Sequence, residues 1–219
     1  MKPESAASGR VLDPLERTSE VLFGVIMVLS FTGSLSAATS GEGEVRTVLA
    51  AAVGCNLAWG LVDAVMYIVS GVVGRSRKRA LLLRLEKSGT EAERREILVE
   101  EIPPVVVSAM NTADIDTLAS NLAKVRIPGS HVSIPFRDLR GAVGVFLLVF
   151  LSTFPVALPF LFLDDLHQAM RWSNGIAVVL MFLSGYSLGR YAGLSGLLAG
   201  SSMAGLGIIL VAITIALGG

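Results

Sequence analysis

The chain is poor in the residues that most functions need. It has one cysteine, Cys55, so a disulfide framework is excluded. Charged residues make up 16% of its 219 positions, against about a quarter in globular proteins. Lys+Arg and Asp+Glu both number 18, which leaves no basic surplus for nucleic acid. No glycine-rich phosphate loop, serine–histidine pair or metalloprotease motif is present, so the expectation is no enzyme and no resident cofactor. What the chain does have is apolar length. Hydrophobic residues are 53%, and the mean hydropathy is +0.68. A two-layer soluble fold cannot bury that much apolar surface, so most of the chain is expected to face lipid.

A helix needs about 20 mostly apolar residues to cross a bilayer. Five stretches qualify: 21–39, 47–73, 141–163, 175–192 and 194–217. The expected fold is therefore all-α, a polytopic bundle of five transmembrane helices. The first stretch is too long for a cleaved signal sequence, although Leu35-Ser36-Ala37-Ala38 mimics a cleavage site. Charge concentrates in 75–140, which holds 21 of the 36 charged residues. With five spans, 16 of the 18 Lys+Arg fall on one side, and only Arg46 and Arg171 on the other. The positive-inside rule then places segment 1–20 and the insert 75–140 in the cytosol, with the C-terminus outside. In a bacterium this would be the inner membrane.

The insert reads as helical. Arg75 to Lys87 continues the second span, Ser88-Gly89 breaks it, and Thr90 with Glu93 forms a capping box for a helix over 91–101. Pro103-Pro104 ends that helix, and 105–124 is expected as one further helix before Pro128-Gly129. An Arg95–Glu91 pair is expected at four-residue spacing. Nothing alternates with period two, so no sheet is expected.

Several polar side chains sit where lipid would penalise them. Asp63 is the acidic residue inside a span, and a charge there costs several kcal/mol unless paired, hydrated or protonated. Asn56, Asp63 and Ser70 recur every seven residues on one face, flanked by Trp59, Met66 and Tyr67. Carboxylate and amide oxygens with a thioether suit a divalent transition metal or a proton. A structural hydrogen bond between helices accounts for the same residues. In the first span Ser30, Gly33, Ser34, Ala37 and Gly41 form a small-residue stripe, with Met27 one turn away. It fits close helix packing or a wet path shared with Asp63. Glu93, Glu96 and Glu100, with Met110, are candidate metal ligands of the insert; a solvated, ion-paired helix is the plainer reading. Asp164-Asp165-Leu166-His167 reads mainly as the polar end of the third span, and His131 as a loop residue. Glycines 185, 189, 193, 196 and 200 read as helix-packing grooves.

This layout resembles the vacuolar iron transporter (CCC1-like) family. The resemblance rests on Phe154-Pro155-Val156-Ala157-Leu158-Pro159 in the third span, Phe182-Leu183-Ser184-Gly185 and Gly189 in the fourth, and Gly200-Ser201-Ser202-Met203 and Gly218 in the fifth. It implies a homodimer in the bilayer that exchanges Fe2+ or Mn2+ for protons, along a path lined by the first two spans. Asp63, Asn56, Met27, Met66, Ser34 and Tyr67 would line that path, with Glu93, Glu96, Glu100 and Met110 gathering metal. The chain departs from the family where it matters most: Met27 stands for an acid of the first span, Asn56 for a glutamate of the second, and Ala64 for its methionine. Two readings follow. One is a proton-coupled exporter of divalent transition metals; the other is a relative that has lost transport and serves as a scaffold or sensor.

Overall fold

The computed structural model describes residues 12, 14–38, 45–125 and 134–216. Every regular element among them is a helix. In chain order these are α1 (Pro14–Ala38), α2 (Val45–Lys87), α3 (Glu91–Glu101), α4 (Pro104–Ala109), α5 (Thr112–Ala123), α6 (Phe136–Ala157), α7 (Pro159–Phe162), α8 (Leu166–Tyr191) and α9 (Gly196–Ala216). They form two compact units, the described parts of Met1–Tyr67 with Phe136–Gly219, and Ile68–Pro135; α2 contributes to both.

Four helices are long and apolar enough to cross a membrane: Leu15–Leu35 of α1, then α2, α6 and α9. At 1.5 Å per residue α2 is about 64 Å long, roughly twice the hydrocarbon thickness, as its basic second half requires. α8 has the length, with 26 residues, but Arg171, Asn174 and Arg190 dilute its apolar character. It packs against α1, α6, α7 and α9.

The bundle core is Val25, Val28 and Leu29 of α1, Ala52 of α2, Val156 of α6, and Ala177 and Met181 of α8. A second cluster joins Val48 of α2 to Phe160, Leu166, Ala169 and Met170, with Leu35 against it. α8 and α9 close as a hairpin. Its turn is a Schellman motif: Gly193 is at φ 73, the Leu194 amide donates to the Gly189 carbonyl (2.8 Å), and the Gly193 amide to Arg190 (3.4 Å). The glycine grooves of the fourth and fifth stretches meet here. A Cβ on Gly185 would lie 2.8 Å from the Ala199 carbonyl, and one on Gly200 would lie 2.9 Å from the Phe182 carbonyl.

The long apolar stretch 141–163 is not one helix. α6 runs through Pro155 and ends at Ala157, and α7 begins afresh at Pro159, a position whose ring suits a first turn. Asp165 then caps α8, its Oδ1 accepting from the Gln168 amide (2.9 Å). The acidic Asp164-Asp165 pair therefore serves as a helix start.

In the Ile68–Pro135 unit the capping box at Thr90 forms: Thr90 Oγ1 accepts from the Glu93 amide (3.2 Å), and Glu93 Oε2 reaches back to the Gly89 amide (2.9 Å). The single helix expected over 105–124 is split. α4 ends at Ala109, and Asn111 caps α5 by accepting from the Asp114 amide (2.8 Å). An asparagine side chain competes for backbone donors, which starts a new helix more readily than it continues an old one. α3 and α5 pack through Leu98, Ile115 and Ala119. Arg95 turns from Glu91 to Asp116 on α5, donating through Nε to Oδ1 and through Nη2 to Oδ2, both at 2.6 Å. That two-pronged bond holds the Asp116 carboxyl below the usual carboxylate range.

Candidate functional site

The polar residues of the bundle organise around one buried amide. Asn56 is 0% exposed. Its Nδ2 donates to the Gly24 carbonyl of α1 (3.1 Å) and to Thr153 Oγ1 of α6 (2.6 Å). One side chain thus ties three helices together. Gly24 permits it, since a Cβ there would lie 2.7 Å from the Val149 carbonyl of α6. Asn56 Oδ1 is buried without a hydrogen-bond partner among the described residues. Such an oxygen costs about 1–3 kcal/mol unless something unseen satisfies it.

Seven residues and about 10 Å further along α2 comes Asp63. It is half-buried, and its Oδ2 is likewise enclosed and without a partner among the described residues. Glu20 of α1 lies within electrostatic reach of Asp63 and of Glu16. Tyr67, one turn on, packs its ring on Gly141 of α6 and lies among Glu16, Asp138 and Arg137.

The pairing of α1 with α2 explains these neighbours. Asn56 bonds Gly24, Ala52 shares a core cluster with Val28, Val48 shares one with Leu35, and Asp63 acts electrostatically on Glu20. The helices are antiparallel, and paired residue numbers sum to between 80 and 83. Met27 therefore sits level with the residues just before Asn56, on the far side of Asn56 from Asp63. The structure does not bring the Met27 thioether to Asp63; it brings the Glu20 carboxylate. Met66 is 54% exposed and Ser34 is exposed. Gly33 of the small-residue stripe packs on Thr214 of α9, so that part of the stripe serves helix packing. Gly41, His131 and Gly218 lie outside the described residues.

Glu93, Glu96 and Glu100 share one face of α3 with Arg84, Lys87 and Ser88 of α2 around a groove. Glu93 is used in the cap, and Glu100 pairs with Arg84 at 3.3 Å. Met110 packs on the Leu98–Ile115–Ala119 cluster as a core residue. Among the described residues no three His, Cys, Asp or Glu side chains converge as a metal site.

Glu20, Gly24 and Thr153 are the site residues that spacing along one helix did not reveal. Glu16 and Glu20 do carry a signal, two acids one turn apart at the head of an apolar helix. No protein-family model matches this chain, and no curated protein shows significant similarity to it.

Proposed function

We propose that the protein is a transporter that moves a divalent transition-metal ion, Fe2+ or Mn2+, out of the cytosol in exchange for protons. The observation that carries the reading is the Asp63–Glu20 pair. Two acidic residues of neighbouring apolar helices lie within electrostatic reach of each other, and Asp63 Oδ2 is enclosed without a donor among the described residues. In a low-dielectric setting such a pair is relieved by a cation or by protons. Competition between the two is the chemistry of proton exchange. Asn56, with its unengaged oxygen on the same face, is the next stopping point along α2. The choice of ion comes from the resemblance to the vacuolar iron transporter family, as do the homodimer and the direction.

In this reading α8 also spans, fourth in chain order, which brings the spans to five, because its polar residues face protein or lie at its ends. The charge asymmetry along the chain puts the N-terminus and the Ile68–Pro135 unit in the cytosol. The test is Mn2+ and Fe2+ flux in proteoliposomes across an imposed pH gradient. Asp63→Asn and Glu20→Gln should each lower flux at least tenfold while the protein elutes as the wild type does. Undiminished flux in both variants removes the proposal.

A second reading, a non-transporting scaffold, is favoured by the two hydrogen bonds of Asn56 and by the use of Glu93 and Glu100 within their own unit. It expects no flux from the wild type and no stabilisation by micromolar metal. Any ligand bound by the native state raises stability by mass action.

A further inference from the structure

A groove of about 310 Å³ runs between α1, α6 and α8, away from Asp63. Its walls are Arg17, Thr18 and Val21 of α1, Leu148 of α6, and Leu183, Ser184 and Ser187 of α8. α1 and α8 are antiparallel: Leu35 lies against the cluster that holds Ala169 and Met170, and Val28 lies in the cluster that holds Ala177 and Met181. Arg17 is therefore level with Ser187, and Val21 with Leu183. The groove has a polar end and an apolar end. Its polar end lies at the head of α1 and the tail of α8, and its apolar end points toward the middle of the bundle.

Of the polar groups at that end Thr18 is engaged, whereas Arg17, Ser184 and Ser187 are not engaged among the described residues. Arg17 makes no ion pair among the described residues, and Ser184 and Ser187 donate no hydrogen bond there. Several helical hydroxyls of this bundle fold back on their own helix, Ser19 to the Leu15 carbonyl, Thr32 to Val28 and Ser202 to Leu198, while Ser173 of α8 also has no partner among the described residues. Ser184 is also mostly enclosed, at 8% exposed. An unpaired guanidinium with two free hydroxyls is a receptor for an oxyanion. Leu183, 52% exposed on the open side of the groove, faces hydrocarbon when the helices are in a membrane. A ligand that fits both ends carries a phosphate head and an acyl tail.

We propose that this groove is a binding site for an anionic phospholipid. Arg17 holds the phosphate, Ser184 and Ser187 donate to its oxygens, and Val21, Leu148 and Leu183 contact the first part of an acyl chain. The site is separate from Asp63, so its test is independent of transport.

The experiment uses the full chain, stripped of lipid in a neutral detergent. Thermal unfolding is followed on titration with dioleoylphosphatidylglycerol, with dioleoylphosphatidylcholine, and with inorganic phosphate. Native mass spectrometry counts the retained lipid. Phosphatidylglycerol should raise the midpoint well above phosphatidylcholine, with one lipid retained per chain. Arg17→Gln should weaken its apparent affinity about tenfold, as loss of a charge-assisted bond implies, and Arg17→Lys should restore part of it. Equal effects of the two lipids overturn the proposal, as does an unchanged Arg17→Gln variant. If inorganic phosphate alone reproduces the full shift, the site is for a free anion and the lipid assignment fails.

Discussion

Helix α9 of the larger unit and the α3–α5 pair of the smaller one are built inside out relative to each other. In α9 the buried residues are Gly196, Gly200 and Gly207, while Leu197, Leu198, Ile208, Ile209, Ile213 and Ile215 lie exposed. In α3 and α5 the buried residues are Ile97, Leu98, Ile115 and Ala119, and the charged residues face outward. The helices are the same; the solvent differs. Water rewards burial of large apolar side chains. Lipid gives them no reason to leave the surface, so helices there gain contact by letting backbones approach over glycine. Polar bonds follow the same division. The bundle has the buried Asn56 node, and the smaller unit has caps and the Arg95–Asp116 and Arg84–Glu100 pairs.

The comparison breaks first at glycine. Gly200→Leu places a side chain against the Phe182 carbonyl and ring. It should keep the α8–α9 hairpin from closing and leave little folded protein by size-exclusion chromatography, since overpacking against backbone has no cheap relaxation. Gly89→Ala meets open space and should move the unfolding midpoint little. The next contrast is at leucine. Leu98→Ala should destabilise the smaller unit by about 2–5 kcal/mol, the range for a buried leucine. Leu197→Ala, 66% exposed in the bundle, should be nearly silent in a bilayer. Denaturant unfolding of the pair distinguishes them, and equal losses would refute the inside-out description.

The smallest effect is expected with pH. The Asp116 carboxyl is held low by Arg95, so its contribution is present above the ordinary carboxylate value and lost as pH falls from about 4 downward. Asp116→Asn should remove that slope between pH 4 and 2. Native-state hydrogen exchange on α3 and α5 reads it directly.

Much of this was legible along the chain. Thr90 and Glu93 declared a helix start because a cap is a contact between neighbours three residues apart. The near-absence of residues between the apolar stretches 175–192 and 194–217 left room only for a tight turn, and Gly193 makes it. The break at Asn111 was less visible: the apolar residues of 105–124 keep helical spacing, and only the competition of one side chain for backbone amides interrupts them. The stop at Leu158 was hidden for a similar reason, since proline is tolerated within an apolar helix and a second proline at Pro159 can also begin one. At the candidate site Asp63 and Asn56 stood out as polar residues on an apolar helix. Their partners did not.

Apolar length, charge placement and capping are local properties, and from them follow the helices, the membrane-crossing stretches and the division into an apolar and a charged part. Which turn of α1 lies beside which turn of α2 depends on surfaces more than thirty residues apart in sequence. That register, set by Gly24 against Asn56 and Val149, put Glu20 rather than Met27 next to Asp63. Periodicity within one helix says which residues share a face; only packing decides what that face meets.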